Sequence, residues 1–366
     1  MPLYMDLHIL PGVKARDVAE AHRRDLLIQN DHRCNCMTYW IDEKRGNVFC
    51  LIEAPAKEAV IDMHGKAHGL VPHKIIEVNS SLVESFLGRI SDPDSATMSA
   101  AGLKIFAEES FRTIMVIQLQ DPVLLQHQLG KDKAEGLLRS QHYIIRKEIS
   151  SYEGSEVNHG GTDYIASFTS AGKAISSALS IRDILSGLSP EDTTLRIGLH
   201  AGDPVMKSER LFGDTIQFAT ILGSIAKDFQ VAVSSAVKDL SSRDHIRYDN
   251  SHMVRMSPQD ENFLLQLFKT LEEKWREPDF DMDTYGKIMA MSNSQLYRKT
   301  LALTGQSPNN LLRDYRLERA KEMMKKSTSS ISQITFDSGF ASPSYFTKCF
   351  KKKYGMLPVE YVESVG

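Results

Sequence analysis

The sequence has little of what would mark a membrane, secreted or disordered protein. Its apolar runs, such as residues 114–117 and 263–265, fall far short of the roughly 20 residues of a membrane-spanning helix. Four cysteines (Cys34, Cys36, Cys50 and Cys349) in 366 residues are too few for a disulfide scaffold. The N-terminus, MPLYMDLHIL, carries Asp6 where a secretion signal needs a basic and then an apolar stretch. The expected location is cytoplasmic, with no membrane partner. Hydrophobic residues at 42% and charged residues at 25% exclude fibrous and disordered classes and leave material for several cores. A chain of this length corresponds to two or three domains.

Nor is there a large net charge, but the value of −3 hides an asymmetry. Residues 285–366 hold 13 Lys/Arg against 6 Asp/Glu, and the remainder 31 against 41. A basic end on an acidic body points to one domain that meets a polyanion. A basic face that is merely solvated would give the same balance.

Residues 3–79 alternate strand and helix signals. LYMDLHIL has period 2, ARDVAEAHRRDLLIQN has helical spacing, and CMTYWI and NVFCLIEA are strands joined by a turn at residues 42–46. AKEAVIDMHGKAHG is a second helix and HKIIEV a last strand. The order βαββαβ predicts a ferredoxin-like module over residues 1–80. SDPDSATMSAAG at residues 91–102 reads as a linker, which is placed over residues 81–110. A second α/β unit is expected over residues 111–250, with strands RTIMVIQL, SEVNHG, YIASFT, TLRIGLHAG and VAVSS and helices near residues 136–150 and 174–185. From Ser257 strand signals cease, and a Ser-x-x-Asp start opens a helical domain over residues 257–366.

Within that domain two segments share one layout. A short helix at residues 284–291, Ser292, and a helix at 293–304 closed by Gly305 form the first. A short helix at 330–338, the turn Gly339-Phe340-Ala341-Ser342, and a helix at 343–354 closed by Gly355 form the second. Each reads as a helix-turn-helix whose second helix can enter a major groove. Residues 308–326 form a long helix between them, with Leu311, Leu312, Tyr315, Leu317, Ala320 and Met324 inward.

These residues closely resemble the DNA-binding domain of AraC/XylS-type transcription regulators. Gly339, Phe340, Ser342, Tyr345, Phe346, Phe350, Lys351, Gly355, Pro358 and Tyr361 fill the family pattern, as do Arg316, Leu317 and Ala320 of the central helix. The resemblance implies double-stranded DNA as partner. In the first recognition helix Leu296, Thr300 and Leu303 are expected inward, while Ser294, Tyr297 and Arg298 share the outer face at i, i+3 and i+4. Arg298 can donate a bidentate pair to guanine, and Lys299 is assigned to a phosphate. In the second, Ser344, Thr347, Lys348 and Lys351 are expected outward. By resemblance Ser344 and Lys348 read bases, and Lys351, Lys352 and Lys353 suit phosphates. Tyr345 is assigned to the core and turn.

Residues 114–240 resemble a class III nucleotidyl cyclase homology domain, on the strand IMVIQL, GTDYIASF, Arg196–Gly202 and Phe212–Ile216. Such enzymes hold two metal ions with two aspartates. Those places fall on Gln118 and on Thr162, with Asp163 next to it, and the family's Asn-x-x-x-Arg falls on Gln217 and Ile221. The resemblance therefore implies a degenerate domain kept for dimerisation or sensing, and no enzyme.

Half of the chain's twelve histidines lie in the first 73 residues. His64 and His68 sit at i, i+4, a spacing that lets two imidazoles share a metal. Asp6 and His8 share a strand face, and His22 and Asp25 lie one turn apart. Two exposed histidines on a helix would show the same spacing. MDLHILPGV, AEAHRRD, YWIDEKRGNVFCLIEAP and HGKAHGLVP are similar to a small ferredoxin-like family, some of whose members are nickel-binding and dimeric. That resemblance implies a transition metal, nickel or zinc, and a homodimer, and the concentration of His8, His22, His64 and His68 with carboxylates makes these four the candidate ligands. An unidentified small-molecule effector or pure dimerisation is the other reading. Histidine ligands must be neutral, so affinity is expected to fall below about pH 6.5.

The expected fold class is α/β, two ferredoxin-like α+β modules, followed by an all-α double helix-turn-helix domain. The expected function is a sequence-specific DNA-binding regulator whose N-terminal modules dimerise and sense a signal. A nucleotide cyclase tethered to a DNA-binding domain and a metal-storage protein are the alternatives.

Overall fold

The computed structural model describes residues 1–94, 96–100, 102–157, 163–188, 194–242, 252–326 and 329–365. Strand β1 (Leu3–Ile9), helix α1 (Ala15–Ile28), β2 (Asn35–Asp42), β3 (Asn47–Glu53), α2 (Lys57–Ala67) and β4 (Lys74–Val78) form the first module. Its antiparallel sheet runs β2-β3-β1-β4, the expected ferredoxin-like arrangement. Period-2 alternation sorts the strands. Tyr4, Tyr39, Ile41, Val48 and Ile52 pack with Val18, Ala19, Val60 and Met63 of the two helices. Leu3, Met5, Trp40, Phe49, Leu51 and Ile76 face the other way.

The segment expected as a linker is built differently. Helix α3 (Ser80–Leu87) is capped by Asn79, whose side chain accepts from the amides of Ser81 and Leu82, and buries Val83, Phe86 and Leu87. A small hairpin, β5 (Thr97–Met98) with β6 (Lys104–Ile105), follows. Only residues 91–102 carry the breaker composition, whereas Leu82, Val83, Phe86 and Leu87 stand at helical spacing ahead of it. Arg89 donates to the Tyr39 carbonyl at 2.7 Å and lies 4.4 Å over the Trp40 ring. Arg112 donates to the carbonyls of Phe86 and Leu87. The segment is a brace.

The second module comprises β7 (Arg112–Leu119), α4 (Pro122–Leu129), α5 (Lys131–Ser151), β8 (Ser155–Val157), β9 (Tyr164–Phe168), α6 (Ala171–Ser186), β10 (Leu195–Gly202), α7 (Gly213–Ile225), β11 (Gln230–Val233), α8 (Ser235–Ser241) and β12 (Met253–Arg255). Its sheet runs β12-β11-β10-β7-β9-β8. Met115, Ile117, Ala166 and Phe168 face α5 and α6. Ile114, Val116 and Ile165 point the other way, into the same cluster as Met5, Trp40, Phe49 and Leu51. The two modules thus join through one apolar cluster, to which α3 and α7 also contribute. Each large apolar side chain so buried contributes about 1.5–3 kcal/mol and each exposed ion pair about 0–1, so the apolar seam holds the modules together.

Helix α7 lies close on this face. A Cβ on Gly198 would stand 1.9 Å from the Ala219 carbonyl, so glycine is required there. Gln118 reaches under α7 beside Gly223, Gln217 is exposed, and Ile221 is buried against the third domain. Neither Gln118 nor Ile221 carries charge. Thr162 lies outside the described residues, and Asp163 immediately precedes β9.

The third domain is all helix: α9 (Pro258–Lys274), α10 (Met282–Ile288), α11 (Asn293–Thr304), α12 (Pro308–Lys326), α13 (Ile331–Asp337), α14 (Pro343–Tyr354) and α15 (Pro358–Val365). Ser257 caps α9 by accepting from the Asp260 amide. Helix α10 starts earlier than expected because Asp281 caps the Thr284 amide, and it ends earlier because Ala290 turns left-handed. Phe263, Leu264 and Leu267 of α9 pack with Phe218, Ile221 and Leu222 of α7. Val123 and Leu124 of α4 join the core of α12–α15. No helix among the described residues is long and apolar enough to cross a membrane.

Candidate functional site

The second helices of the two helix-turn-helix segments, α11 and α14, share one design. Each has 12 residues, a serine N-cap (Ser292 or Ser342) accepting from the N3 amide, and a left-handed glycine (Gly305 or Gly355) at its end. Ser and Gly satisfy backbone groups that a helix terminus leaves unpaired, which fixes the start and the stop. Leu296 and Thr300 are buried on α11, as are Phe346 and Phe350 on α14, while Leu303 is half-buried. Ser294, Tyr297 and Arg298 are exposed, and so are Ser344, Lys348 and Lys351, with Thr347 half-buried.

Three side chains depart from expectation. Lys299 turns back to α9, with its Nζ 3.7 Å from Asp260 and 4.7 Å over the Phe263 ring. Lys353 turns to α12, 3.2 Å from Glu318 and 3.7 Å from Asp314. Both are tied inside the domain, because they stand at the edge of the buried face where acidic neighbours lie within reach. Tyr345 is 54% exposed and meets Phe340 only at a ring distance of 6.2 Å. It stands at N3, off the buried stripe of Phe346 and Phe350.

The turns lock the two halves to each other. Gly339 has φ +78°, and a Cβ on it would lie 2.3 Å from the Trp275 carbonyl at the end of α9. Arg316 donates to that carbonyl at 2.7 Å and to Glu277's at 2.6 Å. The second half is also tied to the middle module. Asp121, which caps α4 by accepting from the Val123 amide, accepts from Lys325 at 2.6 Å and from the Tyr361 hydroxyl at 3.0 Å. Sequence reasoning missed α4 and this contact. The signal was present: an Asp-Pro pair is a helix-start signature.

At the other end, three of the four proposed metal histidines converge on the helix side of the first sheet. His64 Nε2 lies 2.9 Å from Asp6 Oδ2, and its Nδ1 lies 3.1 Å from both Asp25 Oδ1 and His68 Nε2. His8 Nε2 stands 3.5 Å from Asp6. Asp6, His8, Cys50 and His64 form one group, and Asp25, His64 and His68 another, each with ligand atoms within 4.8 Å of one another. His22 is not in either group. It packs edge-on to Tyr39 at 5.3 Å, and burial lowers its pKa. Being on one helix with Asp25 did not bring it to the cluster, because its side chain leaves α1 toward the sheet.

The electrostatics are those of a buried acid–imidazole chain. Burial alone would depress His64, but its hydrogen bonds to Asp25 and Asp6 carry its pKa up to about 10. Burial would raise Asp6, yet the neighbouring His8 and His64 hold it well below the usual carboxylate range. Asp25 is likewise lowered, with His64 and His68 outweighing burial. Burial, then Asp6 and Asp25, push the Cys50 thiol far up.

The C-terminal end is thus a double helix-turn-helix, and the N-terminal end a ferredoxin-like module with a buried histidine–carboxylate cluster. Residues 285–364 match the family described as a helix-turn-helix domain, and residues 4–78 match the one described as nickel responsive protein SCO4226-like. Each match takes in one end of the chain and less than half of its length. The chain is 32% identical over 95 residues to the HTH-type transcriptional activator RhaS of Mannheimia succiniciproducens, which covers 26% of this chain and 35% of that one. It is similar to the crystal structure of SCO4226 from Streptomyces coelicolor A3(2), at 32% identity, 21% of this chain, 94% of that one and TM-score 0.20. It is also similar to an adenylate/guanylate cyclase/hydrolase from Silicibacter pomeroyi, at 22% identity, 38% of this chain, 83% of that one and TM-score 0.31. The chain spans less than half the length of the curated relatives it matches.

Proposed function

We propose that the chain is a transcription regulator that binds double-stranded DNA through α11 and α14 and holds a transition metal in its first module. The repeated design of these helices carries the DNA reading: two capped 12-residue helices with exposed polar and cationic residues, braced at fixed separation by Gly339 and Arg316. Arg298 and Lys348 are the base readers in this reading, and Lys351 a phosphate contact that adds affinity without sequence information.

The donor set supports the metal. Imidazole, carboxylate and thiol from β1, β3, α1 and α2 suit nickel or zinc, and His8 Nδ1 is buried without a hydrogen-bond partner. His8, His64, Asp6 and Cys50, or His64, His68 and Asp25, would hold the ion, and a bound ion supplies a divalent charge where His64 otherwise carries its proton. The chain's own part is to keep Asp6 and Asp25 ionised and the cluster dry. The middle module performs no reaction in this reading, since Gln118 and Ile221 stand where a cyclase needs charge. It braces both DNA-binding halves, through α7 against α9 and through α4 against α12 and α15. A cytoplasmic homodimer with a metal or small-molecule effector completes the proposal.

Duplex mobility shifts with the full chain, with and without added nickel or zinc, test it. The proposal expects a specific shift whose midpoint moves with metal. His64→Ala with His68→Ala should lose the metal effect and keep the basal shift. No metal bound by the native chain at neutral pH would remove the metal; no specific shift would remove the regulator.

A further inference from the structure

We infer that Leu301 of the first recognition helix reads the 5-methyl group of thymine, so that α11 selects a thymine-bearing half-site while α14 supplies most of the phosphate charge. This rests on the proposed DNA binding. The shared caps put α11 and α14 in one register: Ser294 matches Ser344, Arg298 matches Lys348, and Leu301 and Ala302 match Lys351 and Lys352. At 100° per residue, Arg298 points directly away from buried Leu296 and Thr300, with Ser294 about 40° and Leu301 about 60° to one side of it and Tyr297 farther round on the same flank. Leu301 is 41% exposed and Tyr297 46%, one turn apart.

The outward face of α14 therefore presents Lys348, Lys351 and Lys352, all exposed. On α11, Arg298 is the only cation on that face among the described residues, because Lys299 is bound to Asp260 and Phe263. A face with one cation and two large apolar groups is poor at gathering phosphates. In a major groove, the apolar feature it can cover is the thymine methyl, which distinguishes T·A from every other pair. A bidentate arginine one turn before Leu301 would place a guanine near that thymine.

The test uses the duplex that the full chain selects from a randomised pool. Each thymine in the half-site under α11 is replaced in turn by deoxyuridine, which lacks only the methyl. Burial of one methyl is worth ~0.8 kcal/mol, so the wild-type chain should lose about fourfold in affinity at one or two positions. Leu301→Ala should bind the thymine duplex about fourfold or more weakly and be indifferent to deoxyuridine. Leu301→Lys should raise affinity for all duplexes and steepen the salt dependence. A wild-type chain that binds with a two-groove footprint yet ignores deoxyuridine in that half-site overturns the inference and leaves DNA binding standing. Leu301→Ala with unchanged affinity and unchanged deoxyuridine sensitivity also overturns it, and gives the leucine to a protein partner. Failure to select any duplex removes both.

Discussion

Replacing Gly339 by alanine combines two costs, of which Gly355 carries only one. Gly339 and Gly355 both have φ +78°, so an alanine at either pays about 1–2 kcal/mol for left-handed backbone. At Gly355 nothing lies within 4 Å of the added Cβ, and that is the whole cost. At Gly339 the Cβ would lie 2.3 Å from the Trp275 carbonyl and 2.9 Å from Arg316 Nε. That carbonyl must move, and the Arg316 hydrogen bond to it breaks. A hydrogen bond from a charged group is worth about 1.5–3 kcal/mol. Gly339→Ala should therefore cost roughly 3–5 kcal/mol against about 1–2 for Gly355→Ala. The chain has two tryptophans, Trp40 and Trp275. In a Trp40→Phe background, urea unfolding followed by fluorescence reports the Trp275 environment directly. Equal costs for the two glycines would refute the docking of the second turn on α9, and with it the fixed separation of the recognition helices.

Arg298→Ala should relax base preference at one position, whereas Lys351→Ala should weaken all duplexes alike and lower the salt slope by about one unit; competitive binding over several salt concentrations distinguishes them. Metal affinity should keep rising from about pH 6.5 toward 10, not level off near 6.5, because the ion competes with a proton held on His64 up to about pH 10; titration calorimetry in buffers of different ionisation heat should show proton release. In the metal-free chain the same raised value adds stability that is complete below about pH 6.5 and lost as pH climbs through about 10, and His64→Gln should flatten that slope in urea unfolding. Asp121→Ala removes a helix cap and the Lys325 and Tyr361 contacts, so limited proteolysis should cut near α4 and α15 faster while the first module keeps its resistance.

The C-terminal domain was the most legible part of the chain, because its boundaries are set by local chemistry. Ser292, Gly305, Ser342 and Gly355 mark helix ends through hydrogen bonds to residues three or four away, and α11, α12 and α14 span the residues expected. The first module was legible through alternation: Tyr4 and Met5 part to opposite sides of β1. What alternation cannot say is what covers each side. The face of β7 turned from α5 and α6 could have met solvent, a second copy or a neighbour, and it joins the cluster that holds Met5 and Trp40 of the same chain. Long-range partners also decided the site. His68 entered the cluster because α2 ends beside α1, and His22 turned to Tyr39. The sequence assigns Lys299 and Lys353 to phosphates because the acids that hold them, Asp260, Asp314 and Glu318, are remote in sequence or on another helix. The proton on His64 follows from two carboxylates, Asp6 and Asp25, brought together only by the fold.

A footprint of the full chain on the duplex it selects from a randomised pool tests the central claim most directly. Two recognition helices braced in one domain should protect two patches on one side of the duplex, centred about 10–10.5 base pairs apart. Arg298→Ala should weaken one patch and Lys348→Ala the other. Protection confined to a single groove, or no enrichment of any sequence, would contradict the account.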